Sequence, residues 1–152
     1  MAAVTAGPIL ILLARLAAAG VFVIAALPKI QNPGEFADAV AAYRVIGPEL
    51  SRWVALVLPW LELVLGIGLL LPWLRRASAV GLALLLLLFI GLHAAAWARG
   101  LDLACGCFGA DADANTGAYL FWILRNLALF AATLCVALRD FRLHRRAFPP
   151  EH

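Results

Sequence analysis

The sequence predicts an all-α integral membrane protein: a four-transmembrane-helix bundle with a short amphipathic helix between helices 1 and 2. Three observations lead there. The 152 residues are 65% hydrophobic and only 14% charged, with a mean hydropathy of +0.96, whereas a soluble domain is nearer half apolar and a quarter charged. Four apolar stretches each approach the roughly 20 residues that cross a bilayer. Between the first two lies a proline-punctuated polar link with apolar residues at helical spacing. The length holds four spans and short connections, hence a single domain over residues 1–152. There is no internal repeat, low-complexity tract or flexible linker. The net charge of +3 reads as a topology signal. No basic run is interleaved with aromatics, so nucleic-acid binding is not expected.

The first span is expected over residues 8–27, "PILILLARLAAAGVFVIAAL", interrupted only by Arg15. A cleavable signal peptide is the competing reading, but a signal has a positive segment ahead of its apolar run. Residues 1–7 hold no Lys or Arg. The connection "PKIQNPGEFADAVAAYRVIGPEL" carries Pro28, Pro33 and Pro48, with Phe36, Val40, Tyr43 and Ile46 near helical spacing. This suggests a short helix lying on the membrane surface. The second span is expected over 53–71, contains Pro59 and Glu62, and is flanked by Trp53 and Trp73, as interfacial aromatics flank spans. A tight "PWLRR" turn leads to the third span, 77–98, with His93 near its end. The polar segment "LDLACGCFGADADANTG" follows, then the fourth span, 118–138, with Arg125 and Asn126 near its start and a basic tail.

Four spans place the N-terminus, the Arg75–Arg76 turn and the tail on one side. Arg75, Arg76, Arg139, Arg142, Arg145 and Arg146 cluster there, against Lys29, Arg44, Arg52 and Arg99 opposite. The positive-inside rule puts the clustered side in the cytoplasm. The expected setting is a bacterial inner membrane, with both termini cytoplasmic and the Cys-Gly-Cys loop outside, where disulfides persist.

Cys105 and Cys107 are one residue apart. Their alpha carbons fall on the order of 5.5–7 Å apart, overlapping the disulfide range, so the pair can close with some strain. Strained, exposed disulfides tend to be labile or catalytic. So short a ring adds little as a staple. Redox exchange, soft-metal capture by two thiolates and a structural role all stay open. Cys135 lies far along the fourth span, about 25 Å from its start at helical rise, and reads as a small buried hydrophobe.

Ionisable residues inside a membrane usually face a partner or a cavity. Arg15 and Glu62 are expected to pair, structurally or functionally. Glu62 shares a helical face with Ala55, Pro59 and Gly66, whose small size allows close helix approach. His93 and Arg125 lie about 8–11 Å below the outer span ends. Phe89 and Trp97 stand four residues either side of His93. That arrangement could be a slot for a flat quinone head group, or an interfacial belt with a snorkelling arginine.

"ARLAAAGVFVIAALPKIQNPGEFADAVAAYRVIGP" resembles the opening of the DoxX-like superfamily. "LPWLELVLGIGLLL" and "CGCFG" followed by "LRN" resemble its methylamine-utilisation MauE branch, and the likeness covers essentially the whole chain. The resemblance implies a four-helix membrane protein tied to extracytoplasmic thiol–disulfide chemistry. It further implies a part in maturing the disulfide-rich methylamine dehydrogenase small subunit, beside a thioredoxin-fold partner. By position it makes Cys105 and Cys107 the redox pair. Arg15, Lys29, Pro33, Phe36, Tyr43 and Glu62 match pattern positions of no assigned role. The architecture is also similar to DsbB and vitamin K epoxide reductase, four-helix quinone-linked disulfide enzymes. Those use two cysteine pairs, whereas this chain has one outward-facing pair.

Overall fold

In the computed structural model the backbone is described for residues 3–101 and 116–147, and side chains for 9–101 and 119–141. The described residues form five helices and no strand: α1 (Ala3–Gln31), α2 (Pro33–Ala42), α3 (Pro48–Gly68), α4 (Arg75–Ala98) and α5 (Thr116–Ala147). Four are long and apolar enough to cross a bilayer, over Ile9–Gln31, Pro48–Gly68, Arg75–Ala98 and Tyr119–Phe141. The chain is a multi-pass membrane protein. Each spanning helix turns apolar side chains such as Ile24, Val57, Leu84 and Phe121 outward, where lipid solvates them.

Neighbours follow chain order around the bundle. α1 packs on α3, α3 on α4, α4 on α5, and α5 closes back on α1, while α2 lies along α3. The core holds Ala18, Ala19 and Phe22 of α1, Leu69, Ala79, Leu82 and Leu86, and Val136 and Ala137 of α5. Ala55, Pro59, Glu62 and Gly66 are all buried on one face of α3, as their spacing predicts. A Cβ at Gly66 would sit 3.3 Å from Phe22 Cβ and 3.4 Å from the Ala19 carbonyl oxygen. The glycine therefore sets how closely α1 and α3 approach. At Gly68 a Cβ would overlap the Ser78 hydroxyl, which fixes the tight α3–α4 turn.

Two span boundaries differ from expectation. α1 runs through Pro28 to Gln31, and α3 begins at Pro48. Pro28 removes one backbone donor, a loss a membrane helix tolerates where its neighbours cover it. What ends α1 is Pro33, whose ring disfavours the α conformation for the residue before it. Asn32 accordingly leaves the helix at φ −124° and ψ 67°. Pro33 and Pro48 then open α2 and α3 at positions where a missing N–H is harmless. The shift of the α1 end matters because it carries Lys29 into the bundle. At the far end α5 continues as helix to Ala147, so the basic tail starts as an extension of the span.

Candidate functional site

The end of the bundle near residue 101 is built from three sets of side chains. The first closes α4. Gly100 has φ +61°, its N–H donates to the Trp97 carbonyl at 3.0 Å, and the Leu101 N–H reaches back to the Ala96 carbonyl at 3.1 Å. This is a Schellman cap, in which glycine takes the left-handed position at no steric cost. Leu101 packs beside Ala96, Tyr119 and Trp122, and the Tyr119 hydroxyl donates to the Leu101 carbonyl at 2.5 Å. The chain thus leaves α4 from a fixed point clasped by α5. Gly100→Ala should cost about 1 kcal/mol through backbone strain, read as a lowered unfolding midpoint in detergent. An unchanged midpoint would show that the cap does not hold this end.

The second set surrounds His93, which is 2% exposed. Its Nδ1 lies 2.6 Å from the Phe89 carbonyl. A carbonyl only accepts, so Nδ1 carries the proton in the neutral ring, leaving the Nε2 lone pair toward the Tyr43 hydroxyl at 3.5 Å. Trp122 meets the ring edge-on at 5.6 Å, Tyr43 does so at 5.9 Å, and Tyr119 meets Trp122 at 5.2 Å. Such edge-to-face contacts are the favoured aromatic geometry. The result is an aromatic–imidazole chain running from α2 through α4 to α5. Arg99 ties α2 to the same end, donating to the Tyr43 carbonyl at 2.8 Å and the Ala95 carbonyl at 3.0 Å.

The third set is an ion pair. Lys29 Nζ donates to both Glu62 carboxylate oxygens, at 2.7 and 3.0 Å. The side chains are only 4% and 1% exposed. The ammonium also faces the rings of Phe36 at 5.1 Å and Phe89 at 5.9 Å, within cation–π range. A cavity of about 230 Å³ opens beside it, lined by α2, α3 and α4 and including Lys29, Phe36, Tyr43, Val54, Phe89 and His93. A second, about 30 Å³, lies deeper, with Lys29, Glu62, Arg125 and Asn126 on its walls.

These contacts revise the sequence expectations. The partner of Glu62 at the α1–α3 interface is Lys29, not Arg15. Arg15 lies about 21 Å further back along α1 at helical rise, within electrostatic range of Arg75 and Asp140. Those two form an ion pair of their own at 3.5 Å. Of the residues grouped with His93, Phe89 shares its cavity, whereas Arg125 lines the deeper one. Trp97 is 47% exposed and lines neither, because the ring neighbours of His93 come from α2 and α5. Tyr43 and Trp122 meet His93 only through the packing of separate elements, and nothing in local spacing links them to it. Lys29, Phe36, Tyr43 and Glu62, which the resemblance gives as pattern positions, converge on one place. Cys135 is exposed on α5 rather than buried, its weakly polar thiol being compatible with lipid. Cys105 and Cys107 lie outside the described residues. Among the described residues no cluster of three His, Cys, Asp or Glu is arranged for a metal.

Residues 7–139 match the family model for methylamine utilisation protein MauE. Three relatives bear the name methylamine utilization protein MauE. The protein of Paracoccus denitrificans is 37% identical over 131 residues, covering 86% of this chain and 69% of its own length. That of Methylorubrum extorquens is 38% identical over 118 residues, covering 74% and 60%. That of Methylophilus methylotrophus is 36% identical over 131 residues, covering 86% and 68%. The chain therefore spans about two thirds of their length. No solved structure matches it. With a family model matched along nearly all of its spanning region, and relatives that agree, this chain belongs to the MauE family.

Proposed function

We propose that this protein is a membrane-embedded accessory protein of methylamine utilisation that carries out thiol–disulfide exchange outside the cytoplasm through Cys105 and Cys107. The observation that supports this reading is the base from which their loop departs. Gly100 caps α4, Tyr119 clasps Leu101, and the Tyr43–His93–Trp122 chain lies beneath. A partner protein would dock against a firm platform. The clustered arginines of the opposite end favour cytoplasmic termini in a bacterial inner membrane.

In the exchange, a thiolate of a thioredoxin-fold partner attacks one sulfur of the Cys105–Cys107 disulfide. The S–S bond breaks and a mixed disulfide forms. The partner's second thiolate then resolves it, leaving the partner oxidised and this pair as a dithiol. Reoxidation of the dithiol releases two electrons and two protons, which a membrane quinone takes up to become hydroquinone. Such a cycle would supply disulfides to a disulfide-rich enzyme outside the cytoplasm.

The test is trapping. Cys105→Ser and Cys107→Ser, each expressed separately, should yield with one of them an adduct that thiol reductant releases on a non-reducing gel and whose partner has a thioredoxin fold. Absence of an adduct in both variants overturns the reading. The close spacing of the two thiolates also suits a soft cation such as Cu(I). Stoichiometric copper retained through the pair in reduced, purified protein would identify a metal relay instead.

A further inference from the structure

The cavity under α2 has features that a purely structural gap does not need. Its walls are largely apolar, including Val40, Val54, Leu58 and Leu92, yet a buried ammonium and a hydroxyl–imidazole pair border it. We propose that this cavity, rather than a slot between His93 and Arg125, is the binding site for the ring of a quinone. Lys29 donates to a carbonyl oxygen of the ring. This inference rests on the quinone half of the function proposed above.

Three observations support that ligand class. An engineered apolar cavity of about 150 Å³ takes benzene. The 230 Å³ here thus admits a six-membered ring with several substituents. An ammonium has three donors, and Glu62 receives two. Phe36 and Phe89 flank the ammonium at 5.1 and 5.9 Å, apolar faces against which a flat ring can pack and present an acceptor. Finally, Lys29 is already matched by Glu62, and a neutral carbonyl adds no charge to that pair. Val45, on the cavity's edge, is exposed, so an isoprenoid tail has a way out to the surface.

The test is calorimetric titration of the purified full chain in detergent with decylubiquinone, and with decylbenzene as a probe that keeps the chain and ring but lacks carbonyls. Wild type and the Cys105→Ser/Cys107→Ser double variant should bind decylubiquinone equally. Decylbenzene should bind at least tenfold more weakly, the order expected for a hydrogen bond to a charged donor. Val54→Trp fills the cavity from α3 and should lose tenfold or more while its unfolding midpoint holds. Val40→Phe, filling it from α2, serves if Val54→Trp does not fold. Unchanged affinity in the filled variants overturns the site and leaves the quinone reading standing. Equal binding of decylbenzene overturns it in favour of a cleft for an acyl chain. No binding of decylubiquinone by wild type overturns both the site and the quinone half of the function, while mixed-disulfide trapping still judges thiol exchange separately.

Discussion

Lys29→Ala should destabilise the protein by about 3–5 kcal/mol, the usual cost of removing one member of a buried ion pair. The reason lies in what remains. Glu62 is 1% exposed on the crowded face of α3, and Lys29→Ala removes the ammonium that donates to both of its carboxylate oxygens. Glu62→Ala should cost a similar amount by stranding Lys29 between Phe36 and Phe89. The pair Lys29→Met with Glu62→Leu should recover most of either loss, because well-packed apolar replacements of a buried ion pair are often neutral. Thermal unfolding of wild type, Lys29→Met, Glu62→Leu and the Met/Leu double variant in one detergent completes a double-mutant cycle, and the coupling is its result. Additive losses would mean that the contact at 2.7 Å contributes no coupling. A folded Met/Leu variant has a second use: it separates architecture from chemistry at this position.

That ion pair also shows where sequence reading stops. The four spans, the intervening helix and the small-residue face of α3 follow from hydropathy and periodicity, which are local properties. Sequence alone points to Arg15 as the partner of Glu62, because both lie mid-span in adjacent helices. Pro28 suggested that α1 had ended and that Lys29 stood in a loop. The helix instead passes through Pro28 and ends at Gln31, ahead of Asn32 and Pro33, so Lys29 faces inward at the height of Glu62. One misjudged boundary displaced a buried charge by about four turns of helix. His93 was visible as an unusual residue in an apolar span, and Phe89 as its companion. Tyr43 and Trp122 belong to elements 50 and 29 residues away, and only the packing of α2 and α5 brings them to it. Trp97 fits the helical spacing yet faces outward. Spacing on one helix does not say which neighbour that face will meet.

Cys105→Ser and Cys107→Ser should each abolish catalysed transfer of electrons from a dithiol to a quinone. The assay is decylubiquinone reduction by dithiothreitol, followed by absorbance above the uncatalysed rate. Dithiothreitol supplies two electrons and two protons and ends as a cyclic disulfide, while the quinone ends as hydroquinone. One sulfur must accept the attack and the other must leave, so a single serine stops the cycle as fully as two. Non-additivity of that kind marks groups acting as a unit. The fold should be indifferent, since a three-residue ring constrains the unfolded chain very little, and the unfolding midpoints of both variants should match wild type. Each result reads differently. Loss of turnover with the midpoint kept places the chemistry on the pair. Loss of both would make the pair a structural element of the loop. Full turnover in the double variant, with supply of the protein's partner undiminished in cells, would leave a scaffold that assembles other proteins. The electron-transfer reading would then have to be abandoned.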